Sequence, residues 1–137
     1  MKFYDLASDS APHTIDSGGS CSGKSEFLKC GVISLALSKS VRELNLVIID
    51  CGGNSLDNFQ SLTHLSFPIV KDTETLLMVL KSLIEEMEKR LKLSREELRE
   101  EPVIVIIWDE YNSTIKNISD NDERKEITAT LVDLLRR

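Results

Sequence analysis

The chain has 137 residues, of which 41% are hydrophobic and 29% charged, with a formal net charge of -6 at pH 7. This length suits one packed core, and the acidic balance argues against the whole chain acting as a basic clamp on nucleic acid. No apolar run approaches the roughly 18 residues that span a bilayer, and the three cysteines lack paired metal-ligand spacing. We therefore expect one domain or a fragment of one, residues 1–137, in a reduced cytoplasmic setting without a zinc site.

The first half of the chain predicts two strands separated by a glycine-rich loop and a helix. After an N-terminal arm, residues 13–17 are expected to form a strand that enters the loop. A helix over residues 24–39 follows, in which five apolar side chains are available for burial: Phe27, Leu28, Ile33, Leu35 and Leu37. The β-branched run 44–50 predicts a strand, ended by the Gly52-Gly53 pair.

The second half continues the alternation of strands and helices. A short strand is possible near residues 69–70, and the spacing of leucines predicts a strong helix over 73–93. Ser94 with Glu97 resembles a capping box that opens a short helix. The apolar run 103–108 predicts a strand covered on both faces, followed by a polar loop and a last helix over 123–137. This alternation predicts an α/β fold with a largely parallel sheet flanked by helices.

The loop between the first strand and the first helix has the pattern of a phosphate-binding loop. It fits G-x-x-x-x-G-K-[ST] at every fixed position, and its residues are Gly18, Gly19, Ser20, Cys21, Ser22, Gly23, Lys24 and Ser25. Its glycines let successive backbone N–H groups form an anion cradle, beside the positive end of the following helix. Lys24 would reach the β- and γ-phosphates, and the Ser25 hydroxyl would be a magnesium ligand. The pattern therefore predicts a site for a nucleoside triphosphate, ATP with Mg²⁺.

Two adjacent acids end the apolar strand over 103–108. Parallel strands bind their ligands at the carboxyl edge of the sheet, and Asp109 and Glu110 are expected at that edge. Asp109 would hold the magnesium, directly or through water, and Glu110 would orient and polarise the water that attacks the γ-phosphate. The pair favours an ATP hydrolase over a switch or a kinase.

Asp50 ends the other strongly predicted strand and leaves two interpretations open. It could tune the magnesium or contact a partner from the same edge of the sheet. A strand-terminal aspartate that starts the turn before Gly52-Gly53 is at least as good an explanation.

Beyond these motifs, the chain resembles the motor core of the FtsK/SpoIIIE family over about residues 5 to 137. The more specific parts of the resemblance are Pro12-His13 before the loop and the helical segment 86–90, Glu-Met-Glu-Lys-Arg. Further matching segments run in order along the chain: Glu26-Phe27-Leu28, Ile49-Asp50, the Gly52-Gly53 turn, Leu62-Thr63-His64-Leu65, Phe67-Pro68-Ile69-Val70 with Asp72, and Asp109-Glu110-Tyr111.

The resemblance implies a RecA-like P-loop ATPase that assembles as a hexameric ring and pumps double-stranded DNA through its centre. It implies a cytoplasmic motor that reaches a membrane only through parts outside this chain. Two alternatives stay open. Related domains power type VII protein secretion, and a degenerate module could bind nucleotide with little turnover and serve in assembly.

Several positions depart from the family pattern. Cys21 stands where glycine is usual, Thr14 and Asp16 replace apolar residues, and Cys51 stands where a lysine often follows the aspartate. Thr63 takes the place of a proline. The family also continues past the final helix into a sensor strand and, in some members, a DNA-recognising winged helix. Either the chain is a fragment of a longer protein, with an incomplete sheet, or its sheet closes in an altered way. Nucleotide binding is better supported than turnover.

Overall fold

The computed structural model describes residues 13–15, 17 and 22–136. Within these ranges the secondary structure alternates between helices and strands, as the sequence predicts for an α/β fold. In chain order the elements are α1 (Lys24–Ser38), β1 (Leu44–Ile49), a short 3-10 helix (Asp57–Phe59), α2 (Thr73–Arg90), α3 (Arg95–Glu100), β2 (Val103–Trp108), α4 (Tyr111–Asn117) and α5 (Asn121–Arg136).

The sheet in the described part of the chain consists of β1 and β2, paired in parallel with Ile49 opposite Trp108. The other edge of β1 makes single parallel bridges to Leu65 and to Val70. The short strand predicted near residues 69–70 is thus reduced to one bridge. The parallel pairing confirms the predicted fold class, an α/β arrangement compatible with part of a P-loop NTPase.

Successive residues of a strand point to opposite faces of the sheet, and both faces of this sheet carry buried side chains. One face packs against α1 and the loop after β1, and its buried residues are Val32, Leu44, Leu46, Ile48, Leu56, Ile69 and Ile107. The opposite face packs against α2 and α5, and its buried residues are Val47, Ile49, Val70, Leu76, Val79, Leu80, Leu83, Ile118, Ile127 and Leu134. The two strands therefore lie between α1 and the loop after β1 on one face and α2 and α5 on the other.

The burial predicted for α1 is only partly right. Leu28 and Leu35 are half-buried and Val32 is fully buried, a spacing of three to four residues that forms one narrow stripe. Phe27, Ile33 and Leu37 were expected in the core but are 50%, 48% and 84% exposed. Over the residues that the structure describes, the sheet has two strands and offers a narrow face, so a single stripe of α1 reaches it.

The predicted strand before the phosphate loop is not observed. His13, Thr14, Ile15 and Ser17 are exposed and belong to no strand, and Asp16 lies outside the described residues. A strand requires a neighbour for its backbone N–H and C=O groups. The ladder of β1 and β2 does not extend to these residues. The predicted N-terminal arm, residues 1–12, also lies outside the described part.

The prediction that both faces of β2 are covered is likewise too strong. Val103 is 52% exposed and Ile106 is 36% exposed, although Ile107 is buried. In the described part of the chain β2 pairs with β1 along one edge only, and side chains near the other edge keep contact with solvent.

The polar loop predicted after Glu110 is instead a short helix, α4, and only residues 118–120 connect it to α5. The Glu110 carbonyl accepts hydrogen bonds from Thr114 N at 2.9 Å and from Thr114 Oγ1 at 3.1 Å. The Tyr111 ring packs edge-to-face on Trp108, with ring centroids 4.9 Å apart. The helix forms despite the weak helix propensity of this polar segment, and the aromatic contact lies at its first residue.

The predicted capping box at α3 is confirmed. Glu97 N donates to Ser94 Oγ at 3.2 Å, and Ser94 N donates to Glu97 Oε2 at 2.8 Å. α2 ends at Arg90, before the predicted Leu93, and Leu91 is 67% exposed. None of the helices in the described ranges combines the length and apolar character needed to cross a bilayer.

Candidate functional site

The carboxyl ends of β1 and β2 bring two buried aspartates side by side. Asp50 follows Ile49 and Asp109 follows Trp108, and these two preceding residues are partners in the sheet register. Asp109 N donates to the Ile49 carbonyl at 2.9 Å, which continues the ladder to the strand end. Both aspartates are almost completely buried, at 0% and 4% exposure. Such paired carboxylates at the carboxyl edge of a parallel sheet mark the ligand-binding edge.

The first turn of α1 meets this edge through Ser25. The Ser25 hydroxyl donates to Asp109 Oδ2 at 3.0 Å, across 84 positions of the chain. Gly23 precedes the helix with φ of 85°, a left-handed conformation in which a side chain would be strained. The turn at Gly23 lets the loop enter α1, so that Lys24 and Ser25 open the helix. The predicted magnesium ligands, one from the loop and one from the strand, therefore lie in direct contact.

A second hydroxyl reaches the same carboxylate oxygen. Ser55, in the loop after β1, donates to Asp109 Oδ2 at 2.7 Å. Ser55 was not predicted from the sequence, because a serine in a polar loop has no distinctive pattern. The one available signal was its position shortly after a strand that ends at the ligand-binding edge.

Glu110 has a different environment from its neighbour. Its side chain is exposed, and Glu110 Oε2 accepts a hydrogen bond from Ser113 Oγ at 2.9 Å. Its backbone adopts φ of 55° and ψ of 37°, and Glu110 N donates to Asp109 Oδ1 at 2.9 Å. A left-handed residue other than glycine costs about 1–2 kcal/mol and is concentrated at functional sites. The turn fixes Asp109 while it directs Glu110 away from the core.

These residues line an open cavity of about 370 Å³ at the edge of the sheet. Four residues that the sequence suggested for magnesium or water chemistry, namely Ser25, Asp50, Asp109 and Glu110, share its wall. The other lining residues are Cys51, Gly52, Gly53, Ser55, Ser113 and Asn117. The structure thus brings the serine of the phosphate loop and the acids of two strands to one space. Lys24 is half-buried and adjacent to Ser25 in the first turn of α1.

Behind the cavity, Asp50 anchors the loop that carries Ser55. Asp50 Oδ2 accepts from Leu56 N at 3.2 Å and from Lys71 Nζ at 3.3 Å. Lys71 Nζ also donates to the Gly53 carbonyl at 2.8 Å and pairs with the Asp57 carboxylate. Partial burial opposes the charge of Lys71, but its bonds to Asp57 and Asp50 prevail and raise the pKa of the ammonium group. These contacts support the turn-forming interpretation of Asp50.

Gly53 is required by the close approach of Asp50. A Cβ atom at this position would lie 2.1 Å from Asp50 Oδ1, closer than side-chain atoms can pack. The glycine therefore allows the loop to fold back over the buried carboxylate.

Cys51, which replaces the lysine that often follows the aspartate in the family pattern, is a half-buried thiol. Its burial, with the nearby charges of Asp72 and Asp50, raises the pKa of the thiol to about 11. The positive charge in this region comes instead from Lys71, twenty positions further along the chain. His64 is buried, and its Nε2 lies 2.8 Å from the Lys39 carbonyl, a structural contact that joins two loops.

The donor set at Ser25 and Asp109 fits magnesium. Among the described residues, no three His, Cys, Asp or Glu side chains converge to hold a metal ion by themselves. Magnesium bound with a nucleotide does not need such a cluster, because phosphates and waters supply most of its six oxygen ligands. The Ser25 hydroxyl and the Asp109 carboxylate oxygen, 3.0 Å apart, would supply the protein's part. Gly18, Gly19, Ser20 and Cys21 lie outside the described residues, and their phosphate contacts stay a prediction.

Comparison with known proteins agrees with this site. The model of the FtsK/SpoIIIE family, a family of P-loop ATPases, matches residues 3–132. The protein DNA translocase FtsK of Borreliella burgdorferi is 32% identical over 90 residues, 66% of this chain and 11% of that protein. DNA translocase FtsK of Chlamydia pneumoniae is 33% identical over 91 residues, with the same shares of the two chains.

A third relative, DNA translocase FtsK of Corynebacterium efficiens, is 30% identical over 88 residues, 64% of this chain and 9% of that protein. The matched part therefore spans about a tenth of the length of these curated relatives. The family model covers nearly the whole chain and includes both the loop at Ser25 and the strand end at Asp109. On this match, and on the site geometry that accompanies it, the chain belongs to the FtsK/SpoIIIE family.

Proposed function

We propose that this chain is an ATP-binding and ATP-hydrolysing motor domain of the FtsK/SpoIIIE type. The contact between Ser25 Oγ and Asp109 Oδ2 carries the proposal, because it joins the phosphate loop to the acid that ends β2. Two sequence motifs 84 positions apart have reason to meet in this way if both bind the same metal–nucleotide complex.

The residues have separate roles in this proposal. The backbone of the loop and Lys24 would bind the phosphates, and Ser25 and Asp109 would hold Mg²⁺, which would supply positive charge against the phosphate oxygens. Glu110 orients a water molecule and accepts its proton as the water oxygen bonds to the γ-phosphorus. The bond from the γ-phosphorus to the bridging oxygen breaks, and ADP and inorganic phosphate are the products. The exposed Glu110 side chain at the cavity wall is accessible to such a water.

Nucleotide binding is tested by substitution of Lys24. At an ATP concentration about a hundred times the Kd, bound magnesium-ATP stabilises the wild-type fold by about 2.7 kcal/mol, which raises the Tm. Lys24→Ala is expected to abolish this rise. Lys29→Ala is the control, since Lys29 lies on the same helix and pairs with Glu26 at the surface. Equal stabilisation of the Lys24→Ala and wild-type proteins would contradict the assigned site.

We further propose that ATP hydrolysis is coupled to translocation of double-stranded DNA. The names of the three relatives support DNA over a secreted protein as the substrate. The motor would work as a homo-oligomeric, hexameric ring in the cytoplasm. Because the chain has a net charge of -6, DNA contacts would come from local surfaces of the assembled ring.

The DNA step has its own test. ATP turnover by the protein is measured with linear double-stranded DNA and with heparin, a polyanion without base pairs. Stimulation by DNA alone is expected. Turnover that does not respond to DNA would favour a secretion motor, and nucleotide binding without turnover would favour an assembly module.

A further inference from the structure

Ser55 makes a contact that the motifs of the family do not require. It is half-buried in the loop between Asp50 and the short 3-10 helix. Its hydroxyl donates to Asp109 Oδ2 at 2.7 Å, across 54 positions of the chain. The bond from Ser25 to the same oxygen is longer, at 3.0 Å. Ser25 is itself a proposed magnesium ligand together with Asp109. Ser55 is not a proposed ligand, and its hydroxyl contacts the Asp109 carboxylate.

The loop holds Ser55 in place on both sides. The next residue, Leu56, is fully buried, and its backbone N–H donates to the completely buried Asp50 at 3.2 Å. Lys71 also holds the same loop, because its Nζ donates to the Gly53 carbonyl at 2.8 Å and pairs with the Asp57 carboxylate. A hydroxyl held in this manner loses little conformational freedom when it donates, and it can orient its acceptor.

The two oxygens of Asp109 are thereby fixed separately. Glu110 N donates to Oδ1 at 2.9 Å, and Ser55 Oγ donates to Oδ2 at 2.7 Å. Groups that hydrogen-bond a metal ligand set its rotation, and their loss weakens metal binding although they never touch the metal. Without Ser55, Asp109 Oδ2 would accept a hydrogen bond from Ser25 alone, and Ser25 is itself a proposed magnesium ligand.

We propose that Ser55 is a positioning residue for Asp109, which orients the carboxylate for magnesium and links the loop after β1 to the metal site. The inference rests on the proposed function, since it requires that Asp109 binds magnesium with a nucleotide. It predicts that Ser55 affects binding of the metal–nucleotide complex but not binding of the nucleotide alone.

The experiment measures the Kd of ADP by calorimetry, once with Mg²⁺ and once with EDTA, for the whole chain. In Ser55→Ala the Kd with Mg²⁺ is expected to rise about tenfold, while the Kd in EDTA stays at the wild-type value. Ser55→Thr keeps the hydroxyl and is expected to restore binding. Ser38→Ala is the control, because it removes a hydroxyl that bonds to the Leu35 carbonyl at the far end of α1.

The outcomes separate this inference from the proposed function. A wild-type chain that binds no ADP under either condition overturns both. If wild type binds and Ser55→Ala binds equally well with Mg²⁺, Ser55 has no positioning role and the proposed function stands. An equal loss in Mg²⁺ and EDTA also overturns the inference, because it shows a structural effect on the loop. If Ser55→Ala does not fold, Ser55→Cys replaces it, since a thiol of similar size is a weak donor.

Discussion

The Ser25 hydroxyl lies 3.0 Å from Asp109 Oδ2 and joins the first turn of α1 to the end of β2. The sheet places Asp109 at its carboxyl edge, and α1 packs on the face beside it, so the contact is a product of the α/β layering. Substitutions in and around this contact lead to the following expectations.

Asp109 should be essential for the effect of magnesium and of lesser importance for the fold. Asp109→Asn keeps the side-chain shape but removes the charge that attracts the metal. We expect the magnesium-dependent part of the ATP-induced rise in Tm to disappear, and the free energy of unfolding to fall by about 1–2 kcal/mol as hydrogen bonds weaken. Thermal and urea unfolding measure the two effects. Asp122→Asn, at an exposed position in α5, should change neither; a full magnesium effect in Asp109→Asn would exclude Asp109 as a ligand.

Glu110 should separate turnover from binding. In Glu110→Gln the backbone keeps the same left-handed conformation and the side chain can still hydrogen-bond Ser113, so stability and nucleotide affinity are expected to stay at wild-type values. ATP turnover should fall by at least about 100-fold, because an amide cannot accept the proton of the attacking water. Phosphate release measures this, with Glu96→Gln on α3 as the control. Unchanged turnover in Glu110→Gln would remove Glu110 from the role of base.

Lys71 should contribute to stability through the buried Asp50. Its side chain is 32% exposed, whereas that of Asp50 is completely buried. Lys71→Met leaves the buried carboxylate without its cation, and we expect a loss of about 2–3 kcal/mol, below the value for a fully buried pair. Lys81→Met removes the exposed ion pair to Glu126 and should cost less than about 1 kcal/mol. If urea unfolding shows the same loss of stability for Lys71→Met and Lys81→Met, Lys71 does not stabilise the fold through Asp50.

The pH dependence of this contribution follows from the raised pKa of Lys71. A group whose pKa is raised on folding contributes its full stabilisation at pH values below its pKa in the unfolded chain, which is about 10.4 for lysine. This contribution is lost as the pH rises through the pKa of the folded protein. The difference in stability between wild type and Lys71→Met should therefore be constant at neutral pH and shrink in alkaline solution.

Gly53 and Gly31 should respond in opposite directions to alanine. At Gly53 a Cβ would lie 2.1 Å from Asp50 Oδ1, so the loop must shift, and we expect a cost of about 1–3 kcal/mol. At Gly31, inside α1, a Cβ meets nothing within 4 Å, and alanine should stabilise the helix by about 0.5–1 kcal/mol. Urea unfolding of both variants provides the comparison. A neutral Gly53→Ala would show that the loop does not pack as described.

Cys51 should resist alkylation in the folded protein. With the pKa of its thiol at about 11, about one molecule in a thousand carries the reactive thiolate at pH 8. Cys30 is exposed on α1 and should react with iodoacetamide first. Peptide mass spectrometry after timed labelling measures both rates, and unfolding in urea should bring them together. Rapid labelling of Cys51 in the folded chain would contradict its burial.

Much of the fold follows from local sequence patterns. The strands at 44–49 and 103–108, the helix from Thr73 and the Ser94–Glu97 capping box were all predictable, because period, β-branching and capping chemistry act over a few residues. The strand predicted at 13–17 is not found at the described residues 13–15 and 17, since a strand depends on a distant partner that local propensity does not reveal. The helix at Tyr111–Asn117 was missed because its polar composition is typical of a loop, whereas in the structure Tyr111 packs on Trp108 and Thr114 bonds to the Glu110 carbonyl.

By itself, the sequence determined the chemistry available to this protein. Lys24, Ser25, Asp109 and Glu110 could be selected from motif and strand position, because phosphate and magnesium require these groups at these points. Only the tertiary structure decided that Asp109 receives a second hydroxyl from Ser55, and that Lys71 braces the loop through Asp50. Such contacts depend on how the strands align and how the loops fold back. They join residues that lie far apart in the sequence, so no local pattern encodes them.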